Sequence, residues 1–194
     1  MQIARGIAAA DWKKLNLNDP SDWEQAVAIF EKRIRDRFAN AIDFLIADDE
    51  AVDNPNERRW GFAILALDCL LIETLEAFRQ GLTDTTGKSR ALFVSFLTSR
   101  SAFRKFFSNP DLANRFYKEF RCGLHHNAQV FRDGLVWSVG PLLRLDGERM
   151  VVNRTAFHTA VVAELDAYAS ELRTGADPAL RHNFITKMNF IATA

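Results

Sequence analysis

Two cysteines in 194 residues are too few for the disulfide framework of a small secreted domain or for a four-cysteine metal centre. Cys69 lies inside an apolar run and Cys122 beside Arg121, so reduced thiols are expected, with no metal and no cofactor. A charge-flanked apolar leader is also missing: Met1 to Ala10 carries Arg5 and no long apolar stretch, and no later run has the length needed to span a bilayer. A cytoplasmic protein without membrane contact is the expectation. Excess charge of one sign is lacking too, since the formal net charge is zero, which excludes coating nucleic acid through bulk positive charge. No internal repeat or low-complexity tract occurs.

What is present is an apolar and aromatic load sufficient for a real core. Hydrophobic residues make up 48% of the chain and include 16 Phe and 4 Trp, rings that fill the spaces between packed helices. The length suits one domain over residues 1–194. Charge is unevenly spread: from Lys88 to Arg121 eight basic residues face only Asp111 and Glu119, and the rest of the chain carries the compensating negative charge.

Helix signals dominate. Ser21 and Glu24 form a capping-box pattern, followed by Trp23, Val27, Phe30, Ile34, Ile42 and Leu45 near helical spacing. Asn54-Pro55-Asn56-Glu57 predicts a second helix from about Glu57 to Gln80, apolar nearly all round between Phe62 and Ile72 and stopped by Gly81. Arg90 to Phe107 reads as helical or broken helical. Asn109-Pro110-Asp111 begins a helix with Leu112, Phe116, Phe120 and Leu124 on one face and Tyr117, Arg121 and His125 on the next. The period then changes. Leu135–Val139, Leu142–Leu145 and Glu148–Val152 are short β-like runs, the last two joined by the hairpin dipeptide Asp146-Gly147. Asn153 caps a further helix through Phe157, Val161, Leu165, Tyr168 and Leu172, and Asp177-Pro178 starts a final one. The fold class expected is mainly α with a small β-hairpin or meander insertion near residues 135–152.

Three constellations bear on chemistry. Gly87-Lys88-Ser89 is not a phosphate-binding loop, because that motif needs glycine where Leu82 stands and a strand before it; a polar turn is expected. Asp68, inside an apolar run, must find a partner. Glu73 and Glu76 carry no distinguishing context, and His158 and His182 read as surface or capping residues. The third stretch, Phe116 to Asn127, places His125 and His126 within five residues of Arg121. On a regular helix His125 lies under Arg121 while His126 points roughly 140° away, and Gly123 is placed to relax that geometry.

Arg121, four intervening residues and His126 resemble the R-x4-6-H motif of the HEPN superfamily, and Arg121-Cys122-Gly123-Leu124-His125-His126 resembles the Arg-Cys-Gly-Leu-Leu-His signature of a plasmid- and phage-associated HEPN subfamily. The stretches Cys69 to Phe78 and Thr86 to Arg90 are similar to segments of that subfamily, so the resemblance runs from about Trp60 to Gln129. His125 stands where the signature has Leu, and Cys122 where many HEPN nucleases carry Asn or Asp. The resemblance implies a HEPN-like helical bundle, often a homodimer, and a metal-independent endoribonuclease in a defence or toxin–antitoxin setting, with an antitoxin or regulatory protein as a further partner. Catalytic roles then fall to Arg121 and His126, with His125 as the alternative imidazole, and RNA contacts to Tyr117, Lys118, Arg104 and Asn127. The competing expectation is a non-catalytic dimeric module that binds RNA, a nucleotide or a protein partner.

Overall fold

The computed structural model describes residues 1–193, and the chain is mainly helical with two small sheets. Two compact units are present. One is built from Met1–Ala41, Ala77–Thr85 and the described residues from Leu165 on; the other from Ile42–Glu76 and Thr86–Glu164.

In the first unit, strands β1 (Gln2–Ala4) and β2 (Ile7–Ala8) pair antiparallel and lead into the short α1 (Ala9–Lys13). Helix α2 spans Pro20–Ile34. Its cap is Asp19 rather than Ser21: a residue before proline is held extended, and from that position the Asp19 carboxylate accepts from the amides of Ser21 at 2.9 Å and Asp22 at 3.1 Å. A π turn at Arg35–Ala39 links α2 to α3 (Asn40–Glu50). The core of this unit is aromatic. Phe30 packs on Phe78, Tyr168 and Phe184 at centroid distances of 4.8, 5.4 and 5.7 Å. These last three rings lie on α4 (Gly61–Arg79), α8 (Arg154–Thr174) and α9 (Pro178–Ile191).

The second unit positions the candidate site. Asn54 caps only a single 3-10 turn, Pro55–Glu57, and α4 starts later than its sequence signal, at Gly61. The reason is Asp49, whose buried carboxylate accepts from the amides of Arg59 at 2.9 Å and Trp60 at 3.1 Å and so supplies the start of α4 from the preceding helix. Arg154 compensates that carboxylate at 2.9 Å. The Arg90–Phe107 stretch is broken: α5 (Ser89–Ser99) ends where Arg100 turns extended, yet Phe103 and Phe107 beyond the break are fully buried. Phe116 on α6 (Pro110–Phe116) is the hub of this core, within 4.7 Å of Phe120, 5.3 Å of Phe107 and 5.5 Å of Phe157 by ring centroid. A π turn, Tyr117–Cys122, continues α6 into α7 (Gly123–Asn127).

The three β-like runs form one sheet of order β3-β5-β4. β4 (Leu143–Asp146) and β5 (Arg149–Asn153) make the expected hairpin, with Gly147 at φ +59 in its two-residue loop. β3 (Leu135–Trp137) pairs with β5 in parallel, so the sheet is not a simple meander. Asn153 caps α8 by accepting from the amides of Thr155 and Ala156, both at 3.1 Å. Among the described residues, no helix is long and apolar enough to cross a membrane.

Candidate functional site

The site grows from the two faces of the α6–α7 segment. Phe116, Phe120 and Leu124 are buried, which fixes the rotation of the segment and turns Tyr117, Arg121 and His125 outward. The π turn matters here. A π turn takes up more residues per turn than the α-helix, and turns of this kind are frequent at functional sites. Arg121 lies inside it and His126 beyond its end, and the Arg121 Nη1 comes within 3.5 Å of the His126 Nε2. The separation is at the outer limit of hydrogen bonding, and since a guanidinium only donates, the imidazole meets it with a lone pair.

Gly123 permits this winding through space rather than through unusual dihedrals. Its φ is −57°, an ordinary helical value, but a Cβ there would stand 2.3 Å from the Gln129 carbonyl oxygen. Ala128 ends α7 in the left-handed region, and the amide of Gln129 returns to the Gly123 carbonyl at 3.3 Å.

Arg121 is gripped on its other side by Glu73 of α4. Nε donates to Oε1 at 2.5 Å and Nη2 to Oε2 at 3.3 Å, with both side chains less than a fifth exposed. Burial opposes charge on Arg121, but the bonds to Glu73 outweigh it and raise the pKa. Glu73 is itself held by Ser89 at the start of α5, whose hydroxyl donates to Oε2 at 2.7 Å. Ser89 accepts in turn from the Tyr117 hydroxyl at 3.2 Å, and the Arg121 guanidinium lies 5.6 Å from the Tyr117 ring centroid. Burial pushes the Tyr117 hydroxyl up, so it stays a donor near neutrality.

His125 takes a different position. Its Nδ1 lies 3.0 Å from the Arg121 carbonyl oxygen. A carbonyl can only accept, so Nδ1 carries the proton and Nε2 is left with its lone pair in the neutral ring. Burial and then the neighbouring Arg121 charge lower the His125 pKa, which keeps that ring neutral at physiological pH. Both imidazoles are on the exposed side of the segment.

Of the residues singled out in the sequence, Arg121, His125, His126 and Tyr117 come together. Asn127 is exposed at the end of α7. Lys118 points into an adjoining hollow of about 380 Å³, whose walls do not include Arg121 or either of these histidines. Arg104 is exposed in the turns after α5 and shares no hydrogen bond or ion pair with the cluster. The residues missed are Glu73 and Ser89. They lie in the stretches Cys69–Phe78 and Thr86–Arg90, so three separated segments meet at one guanidinium.

A second polar cluster corrects the reading of His158. It is buried, 2% exposed, with Nδ1 2.7 Å from the Asp68 carboxylate and Nε2 3.3 Å from that of Asp43. Asp68 sits in the apolar run of α4 and is itself fully buried, so the imidazole in the first turns of α8 turns inward to serve it. His182 is exposed, as expected. No group of three or more metal-ligating side chains occurs among the described residues.

Comparison with known proteins finds no match for this chain among family models, curated proteins or solved structures.

Proposed function

We propose that the protein is a metal-independent endoribonuclease of HEPN type, working on RNA as a homodimer in a cytoplasmic defence or toxin–antitoxin setting. One observation carries the reading: a guanidinium whose orientation is fixed by Glu73 stands 3.5 Å from an exposed imidazole, with Nη1 as the nitrogen turned toward that ring. The resemblance supplies the reaction class. The chemistry of the residues supports it.

An imidazole takes the proton from a ribose 2′-hydroxyl, the oxygen attacks the adjacent phosphorus, and the bond to the leaving 5′-oxygen breaks as that oxygen receives a proton. The products are a 2′,3′-cyclic phosphate and a 5′-hydroxyl. Negative charge gathering on the non-bridging oxygens meets the outward edge of Arg121, which keeps its full charge through the step. Glu73 occupies Nε and one Nη2 hydrogen, His126 faces one Nη1 hydrogen, and the other hydrogen on each terminal nitrogen is left for phosphate. His126 is the imidazole beside that edge, and His125 offers a second one with a fixed tautomer.

Purified protein incubated with single-stranded RNA in EDTA tests the proposal. Cleavage with cyclic-phosphate ends is expected, reduced about 10²–10³-fold or more in Arg121→Ala and strongly in His126→Ala, with an all-DNA strand untouched. RNA left intact by freshly folded protein sinks the enzyme reading. Binding without cleavage then identifies a non-catalytic module, the alternative favoured by the commitment of two Arg121 nitrogens to Glu73.

A further inference from the structure

The geometry points to the hollow between α5 and the α6–α7 segment as a nucleotide subsite, in which a base of single-stranded RNA rests on Phe131 while its phosphates meet Arg90 and Lys118. It rests on the RNA-cleaving reading only for its purpose; the binding surface stands on its own residues.

The hollow measures about 380 Å³, within the range of small-molecule sites, and its walls include Arg90, Arg115, Lys118 and Arg132 against Asp111 and Glu119. Two of these charges are already spent. Arg115 donates to Glu119 at 2.8 Å and also to the Glu148 carbonyl, so this pair forms a fixed floor. Arg90 and Lys118 are exposed and have no ion-pair partner among the described residues. Arg90 gives its Nε to Asn114 at 2.6 Å, which steadies the guanidinium and leaves its two terminal nitrogens open. Arg132 is 73% exposed and 3.7 Å from Glu119, a loose contact that a phosphate can displace.

Phe131 supplies what an ion site alone lacks. It is 42% exposed in a chain whose phenylalanines are otherwise mostly sealed in the core, and it lines this positively charged hollow. An exposed ring among unpaired cations is the combination that holds single strands: the charges follow the backbone and the ring stacks a base. Its amide donates to the Glu119 carbonyl at 3.0 Å, so the loop that carries the ring is tied to the α6–α7 segment.

The location fits a strand leaving the cleavage centre. Arg90 follows Ser89, and Lys118 follows Tyr117, the two residues that bond each other beside Glu73 and Arg121. One chain neighbour of each therefore faces the Arg121 cluster and the next faces the hollow. On the proposed path, the nucleotides flanking a scissile linkage at Arg121 run along Arg90 and Lys118.

The test uses the whole protein and a fluorescein-labelled, fully 2′-O-methylated single-stranded decamer, which binds but lacks the attacking hydroxyl. Anisotropy titrations are run at several salt concentrations. Phe131→Ala is expected to weaken binding about tenfold or more; Lys118→Ala weakens it and lowers the salt slope by about one. Parental affinity in both Phe131→Ala and Lys118→Ala, with circular dichroism showing them folded, overturns the subsite even if RNA is cleaved. Conversely, loss of binding in these variants with no cleavage by the parent upholds the subsite and removes the nuclease. Equal affinity for a methylated duplex also overturns it, because paired bases cannot stack on Phe131.

Discussion

Glu73 holds Arg121 by two nitrogens, Nε at 2.5 Å and Nη2 at 3.3 Å, and thereby decides which edge of the guanidinium faces outward. The pair is more than four-fifths covered, so Glu73 also balances a charge that is costly to leave alone. Replacing Glu73 with Gln keeps the shape but removes the charge. The expected loss is roughly 1.5–3 kcal/mol of stability by urea unfolding, together with a fall in RNA cleavage at saturating substrate. Stability lost with turnover unchanged would show that Glu73 supports the fold and not the aim of Arg121.

The tautomer of His125 yields a kinetic prediction. Its Nδ1 donates to the Arg121 carbonyl, and burial followed by the Arg121 charge lowers its pKa, so the basic Nε2 is available below the ordinary imidazole value. If His125 is the general base, the rising limb of the cleavage rate against pH has its midpoint below about 6.5. His125→Gln then abolishes that limb, whereas His126→Gln lowers the plateau and leaves it in place. A rising limb unchanged in His125→Gln assigns the base elsewhere.

Much of the framework was legible from spacing. The two faces of the segment, Phe116, Phe120 and Leu124 on one and Tyr117, Arg121 and His125 on the next, the Asn153 cap and the Asp146-Gly147 hairpin follow from local pattern, and the structure has each of them. What spacing misses is partnership across the chain. Glu73 looks like any helix acid until Arg121 is placed opposite it, 48 residues away. Asp49 delays α4 because its carboxylate captures the amides ten and eleven residues on, a tertiary contact that overrides the Asn54-Pro55 signal. His158 turns inward because Asp68, 90 residues earlier, needs a partner. The π turn escapes a reading in regular helical periods, and it changes which histidine meets Arg121.

Gly123 and Ala128 bracket α7 and respond oppositely to substitution. A methyl group at Gly123 meets the Gln129 carbonyl at 2.3 Å, and backbone cannot step aside cheaply. Gly123→Ala is expected to cost about 1–3 kcal/mol and to separate Arg121 from His126. Ala128 has φ 51°, where glycine is unstrained, so Ala128→Gly is expected to be neutral or to stabilise by up to about 1 kcal/mol. Thermal unfolding of the two variants checks the pair; equal destabilisation means that the turn after α7 is wound differently.

The Asp68–His158 cluster makes stability depend on pH in a direction that follows from its environment. Burial is the largest influence on Asp68 and lifts its pKa from 3.8 to about 6 despite the opposing pull of His158. Burial works against charge on His158 as well, but Asp68 and then Asp43 outweigh it, so this pKa is also raised. Both groups therefore bind protons more tightly folded than unfolded, and each stabilising contribution fades as pH rises. For Asp68 the window lies between 3.8 and about 6; for His158 it opens at the ordinary imidazole value near 6.5 and closes at the raised one. Asp68→Asn removes the first window and the larger cause of the second, leaving the smaller pull of Asp43. Urea unfolding of parent and variant across pH 4 to 9 should give a difference in stability that shrinks, or turns further against the parent, as pH increases. A difference that grows with pH would mean that Asp68 is held ionised by partners that outweigh its burial.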